Sequence, residues 1–175
     1  MVSGATPLVF ASIGETINEK AGVINLSLDG TILLSAMAAF AIAYTTGSLM
    51  LGFLAAMAVG ALLALIVAFG SISLRQDQVA IGFVLTLLGA ELSSFLGSPF
   101  VGRQGPSVPH LPIPYLADLP IVGPIFFSHD LLVYLSYALI ILAWVYIFKT
   151  QPGLKLQGIG AVSYTHLRAH ETGRN

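Results

Sequence analysis

The chain contains no cysteine. Disulfides and thiolate metal sites are thereby excluded, and the redox compartment is left undecided. Charge is scarce too: 9% of the 175 residues are Asp, Glu, Lys or Arg, against about 25% in soluble domains. The net charge is −1 and there is no basic run, which argues against nucleic acid as a partner. No G-x-x-x-x-G-K-[ST] phosphate loop is present, and no Ser/His/acid order stands out at a useful spacing. The sequence therefore predicts neither an enzyme nor a bound cofactor or metal. A basic segment leading to an A-x-A cleavage site is missing as well, so no removable signal peptide is read.

What fills the chain is apolar residue: 56% of it, with a mean hydropathy of +0.89. So few charges over this length cannot keep a globular surface wet. Apolar runs of 18 or more residues predict membrane-spanning helices, because only a helix satisfies its own backbone in lipid. The expected fold is an all-α polytopic transmembrane bundle of about four full spans. The first apolar stretch, ATPLVFASIGETI, is about a dozen residues, too short for a bilayer of about 30 Å at 1.5 Å per residue. It reads as a partial N-terminal helix. NEKAGVINLSLDG follows, polar and punctuated by glycine. Asp29 before Gly30 suits a helix N-cap, with a span from about Gly30 to Tyr44.

A third helix is predicted from about Ser48 to Leu74. Its Gly52, Ala56, Gly60, Ala64 and Ala68 recur every four residues, the pattern of a helix–helix seam; alanine and glycine are also common in any membrane helix. LRQDQ forms a polar turn, and a fourth span runs from about Val79 to Leu96. Seven of the nine prolines fall between Gly97 and Ser128, which prevents a regular helix there and places the segment outside the hydrocarbon or behind protein. A fifth span runs from about Asp130 to Phe148. Lysine and arginine count gives the orientation: Lys20, Arg75, Lys149 and Lys155 fall on one side and Arg103 alone on the other, so residues 98–128 are expected outside the cell and the termini of the spans near Lys20 and Lys149 inside.

Glu91 is the one carboxylate well within a predicted span. Burying a charge there costs at least a few kcal/mol, so it reads either as a contact for a solute or a wet pathway, or as a side chain reaching the external interface. AGVINLSLDG, with Asn25 and Asp29, reads either as a broken helix of the kind transporters use at solute sites and moving joints, or as a capped cytoplasmic loop. The proline segment could receive an external partner or serve as a stiff connector.

The stretches ATPLVFASIGETINEKAGVINLSLDG, LRQDQVAIGFVLTLLGAELSSFLG, LPIPYLADLPIVGPIFFSHDLLVYLSY and PGLKLQGIG together resemble the permease subunits of bacterial ABC importers for nucleosides and simple sugars. That group lies within a larger one that includes branched-chain amino-acid permeases. The pattern G-V-x-N-L-x-x-[ED]-G falls on Gly22, Val23, Asn25, Leu26, Asp29 and Gly30. Relatives more often have Glu at the position of Asp29, Asn at that of Thr86 and Gly at that of Glu91. The resemblance implies a helical subunit of eight to ten spans, so this chain would hold part of one. It implies a solute pathway for nucleosides or sugars, shared with a second permease subunit, driven by cytoplasmic ATP-binding subunits and fed by an external solute-binding protein. Localisation would be the bacterial cytoplasmic (inner) membrane. Asn25, Asp29, Thr86 and Glu91 become candidates for the pathway or its gating. Pro152, Gly153, Leu154, Lys155, Leu156 and Gly160 resemble the start of the loop that docks on the ATPase. Competing readings are a branched-chain amino-acid ABC permease, an ion-coupled carrier using Glu91, and a fragment that only inserts in membranes.

The closing VSYTHLRAHETGRN is of another kind. With one choice of codons, Val162 to Thr172 back-translate to the transposase adapter of DNA sequencing libraries. Residues 1–160 are therefore expected to be the partial permease domain and 161–175 a non-native tail. The alternative use, His166 and His170 as metal ligands one turn apart, lacks a third ligand nearby.

Overall fold

The computed structural model describes the backbone of residues 2–107 and 129–172, with side chains of residues 4–107 and 129–161. Helix accounts for nearly all of it: α1 (Val2–Lys20), α2 (Leu28–Thr46), α3 (Leu49–Ala68), α4 (Gln78–Gly97), α5 (Leu131–Lys149) and α6 (Gln151–Thr172). Five of the expected seven prolines of the 97–128 segment lie outside the described residues, as does most of that segment.

Among the described residues four stretches are long and apolar enough to cross a bilayer: Leu28–Thr46, Leu49–Ser73, Gln78–Phe100 and Leu131–Lys149. Between 11% and 17% of each span is buried within the structure. The outward residues are large and apolar, Leu65, Ile72, Phe95 and Ile141 among them. In water such a surface would associate; here it is matched to lipid or to further protein. Helix α1 is longer than its apolar stretch, at 19 residues with Pro7 inside, and is not among the four apolar spans.

The chain divides into two compact units, residues 24–107 and residues 1–23 with 108–175. In the first, α2 lies between α3 and α4. Ser48 caps α3, accepting from the Leu51 amide at 3.5 Å. At its far end α3 widens into a π-helical turn, Phe69–Ser73, where buried Gly70 lets Ile81 of α4 approach. Arg75 then takes a left-handed backbone, φ 52°, and Asp77 caps α4 through the Val79 amide at 2.7 Å. A small core of Leu34, Leu63 and Leu85, flanked by Met37, Val59, Val67 and Ile81, joins the three helices.

The expected stripe on α3 is only partly a contact face. Gly52 is buried, with the Ala39 carbonyl and Ala43 methyl of α2 where its Cβ would be, and Gly60 approaches Ser35. Ala64 is exposed. A step of four residues turns about 40° further round a helix than one full turn. The stripe therefore drifts by about 120° between Gly52 and Ala64, and the inward face continues instead through Val59, Leu63 and Val67.

In the second unit α1 packs on α5, and α6 meets both near their carboxyl ends. Lys149, last residue of α5, sits over the Trp144 ring at 5.6 Å, a cation–aromatic pair suited to a membrane–water boundary.

Candidate functional site

The break before α2 is a structured turn. Asn25 Oδ1 accepts from the Ser27 amide at 3.1 Å and from the Ser27 hydroxyl at 2.6 Å. Ser27 is buried and stands at the N-cap position, and its carbonyl accepts from the Thr31 hydroxyl at 2.8 Å. Asp29 is not the cap that the sequence predicts. The helix begins earlier, at Leu28, because the Asn25 side chain closes the preceding turn and sets Ser27 at the helix start. Asp29 is exposed within the first turn, where its charge still favours the amino-terminal end of the helix dipole.

Helix α4 meets this turn along a line of small residues at spacings of four, three and four: Gly82, Thr86, Gly89 and Ser93. Buried Gly82 faces the backbone amides of Leu26 and Ser27, with room for no Cβ beyond 3.0 Å and 3.1 Å from them. A Cβ on Gly89 would fall 2.6 Å from the Gly30 carbonyl oxygen, and one on Gly30 would fall 2.6 Å from the Thr86 backbone. Between the glycines the Thr86 hydroxyl donates to the Leu26 carbonyl, and beyond them the Ser93 hydroxyl donates to the Leu33 carbonyl at 3.0 Å. Both donors and both acceptors are seven residues apart, so α2 and α4 run parallel in a fixed register. Sequence reasoning missed this seam. Its signal was present in the 4-3-4 spacing, which holds one helix face where a strict step of four drifts away.

The four candidate pathway residues are thus not one cluster. Asn25 and Thr86 sit at the same joint, Asn25 shaping the turn and Thr86 tying it to α4. Glu91 lies on the opposite side of α4 from the glycine line, exposed, with no hydrogen bond or ion pair among the described residues. Ser94 and Ser98 continue its face at i+3 and i+7, making a polar stripe on an otherwise apolar helix.

At the other candidate region, the expected loop start is a helix. Only Thr150 separates α5 from α6; its hydroxyl donates to the Tyr146 carbonyl at 2.6 Å and accepts from the Gly153 amide at 3.2 Å. Pro152 is tolerated in a first turn, whose amides lack helical partners anyway. Buried Gly153 lies against the carbonyls of Tyr146 and Ile147, and Gly160 against those of Lys20. Gln157 donates to the Ile147 carbonyl at 2.7 Å. This docking leaves Leu154, Lys155 and Ile159 outward, with Leu156 half-buried. The α6 backbone continues through Val162–Thr172, whose side chains, including His166 and His170, lie outside the described set.

The sequence profile of the family described as branched-chain amino acid transport system / permease component matches residues 1–162. Three relatives carry more specific names. A protein of Haloferax volcanii, provisionally named a glucose ABC transporter permease, is 37% identical over 91% of this chain and 50% of its own length. A nucleoside ABC transporter permease of Lactococcus lactis is 32% identical over 91% of this chain and 54% of its own. A guanosine ABC transporter permease of Bacillus subtilis is 33% identical over 89% and 53%. The chain thus spans about half the length of these relatives. No solved structure matches it significantly.

Proposed function

Because the chain belongs to the family of branched-chain amino acid transport system permease components, and is a multi-pass membrane protein, we propose that it supplies part of the solute pathway of an ATP-driven importer for nucleosides or simple sugars. The observation that carries this reading is the match over residues 1–162, supported by the nucleoside, guanosine and glucose permease names of the relatives. The partners are a second permease subunit, cytoplasmic ATP-binding subunits that hydrolyse ATP, and an external solute-binding protein.

The outward face of α6 around Leu154, Lys155 and Ile159 is the surface offered to the ATPase. In the same reading Glu91, Ser94 and Ser98 face the wet pathway. A carboxylate at mid-helix with no partner among the described residues is disfavoured against lipid, whereas a pathway keeps it hydrated. The Gly30–Gly89 joint holds α2 and α4 together as the pathway changes access. Residues 98–128 face outside. Residues 161–175 are a non-native tail, a reading supported by the end of the family match at residue 162; sequencing the source locus across this junction tests it, and native codons for THLRAHET would refute it.

The test of function is uptake by the product of the uninterrupted gene, expressed with and without its ATPase subunits. ATP-dependent uptake of a labelled nucleoside or sugar is expected, and ion-coupled uptake without the ATPase would instead favour a Glu91-based carrier. Glu91→Gln is expected to lower the uptake rate by about tenfold, the loss of a charged contact worth about 1.4 kcal/mol. Unchanged uptake would remove Glu91 from the pathway.

A further inference from the structure

A cavity of about 420 Å³ opens between the carboxyl-terminal halves of α2 and α4. Leu33, Met37, Phe40, Ser93, Ser94 and Phe100 line it. This volume lies in the range of small-ligand sites, roughly 300–1,000 Å³. One wall is aromatic and braced: Phe40 stacks on Tyr44 with centroids 6.0 Å apart, and Phe100 meets both rings edge-on at 6.2 Å and 5.9 Å. The Gly105 backbone closes against the Phe40 ring from behind.

The opposite wall carries two hydroxyls, and they differ. Ser93 donates to Leu33 and keeps its oxygen as an acceptor in the lining of the cavity. Ser98, further along, turns back on the Phe95 carbonyl at 2.9 Å, the usual way a serine satisfies itself in an apolar helix. Ser94 does neither; its hydroxyl has no partner among the described residues. A lipid chain would have no use for these groups. A solute would.

Resting on the importer reading above, we propose that this recess is a solute-contact site, and that it selects a solute with a flat heteroaromatic face and few hydroxyls over a polyhydroxylated sugar. A purine or pyrimidine ring packs on the Phe40–Phe100 wall, and its attached sugar hydroxyls reach Ser93 and Ser94. A hexose presents hydroxyls around its whole rim. Most of them would meet Leu33, Met37 and the two phenyl rings, and each hydroxyl desolvated without a partner weakens binding.

The test uses the purified full-length permease and tritiated adenosine, with unlabelled glucose as competitor. Adenosine is expected to bind and large excesses of glucose are expected not to displace it. Ala36, whose exposed methyl also lines the recess, is changed to Phe to fill it without touching the α2–α4 seam. Ala36→Phe is expected to weaken adenosine binding by at least about tenfold at an unchanged unfolding temperature. Ser94→Ala, which alters no packing, is expected to raise the KM for uptake by about fivefold with the maximal rate retained, as for one hydrogen bond. Absence of adenosine binding, displacement by glucose, or wild-type binding in both variants would overturn the proposal. Uptake that proves independent of ATP would overturn the importer reading alone, since direct binding still reports on the recess.

Discussion

Thr86 shows how one hydroxyl decides between two roles. In sequence it is a polar residue in a span and a departure from the commoner Asn of relatives, so it reads as a pathway candidate. In the fold its hydrogen goes to the Leu26 carbonyl, across the joint between α4 and the turn before α2. Hydrogen bonds between membrane helices contribute about 1 kcal/mol. Thr86→Val, which keeps the shape and removes the hydroxyl, is therefore expected to destabilise the full-length permease in detergent by about 1 kcal/mol, while Thr86→Ser leaves it near wild type. Thermal unfolding of the purified variants measures both. Equal losses for the two would mean that the threonine methyl, and not the hydroxyl, is what the joint needs. Asn25 belongs to the same scale: its amide oxygen holds Ser27 in place twice over, a contact that the pattern G-V-x-N-L marks in the sequence without saying what it does.

Among the elements, α2 and α4 are bound by geometry more than by apolar burial. Lipid tails are as apolar as leucine, so removing side chains from them yields little. Close backbone approach at glycine and the two hydroxyl bonds supply the adhesion instead. Gly89 is as close a point as any on the seam: any Cβ there meets the Gly30 peptide, its oxygen at 2.6 Å and carbon at 2.8 Å. These are backbone atoms and cannot turn aside as a side chain would. Gly89→Val is expected to cost about 1–3 kcal/mol by overpacking and to lower the yield of folded permease in the membrane, read by size-exclusion chromatography in detergent. Gly14, which has open space around its Cβ position, is the control, and Gly14→Ala is expected to be neutral. Helix α6 depends on the same device at Gly153, where Tyr146 and Ile147 carbonyls occupy the space. Gly153→Val is expected to lift α6 from α5 and, on the proposed docking, to reduce cross-linking between Lys155 and the ATPase subunits, with membrane insertion unaltered.

For the whole molecule, the orientation is what function needs. The absence of cysteine makes single-cysteine labelling of these 175 residues direct. Arg103→Cys is expected to react with a membrane-impermeant maleimide from outside intact cells, and Lys155→Cys only after permeabilisation. The reverse pattern would invert the bundle and remove both the proposed ATPase surface on α6 and the proposed external placement of residues 98–128. Within the unit that holds α1, α5 and α6, Lys20 and Lys149 end the two helices that α6 joins. That placement follows from packing and agrees with the charge count made without it.

The sequence determined the solvent of this protein and where its described spans lie. Apolar runs long enough for a bilayer are a property of contiguous residues, and a helix must form there because unpaired backbone groups are intolerable in lipid. The turn residues Gly47, Ser48 and Asp77 likewise mark helix limits through local chemistry. Which small residues touch was not legible in the same way. Contact depends on the accumulated rotation along a helix and on the register of its neighbour, so Ala64 on the even-spaced line turns outward while Gly89 and Thr86, a less regular pair, meet Gly30. The same holds for Glu91, whose face could be assigned only once the glycine line of α4 was seated against α2. Likewise the recess beside Ser94 exists only because parallel helices in one fixed register bring Phe40 of α2 together with Phe100, just past α4, beside two serines of α4.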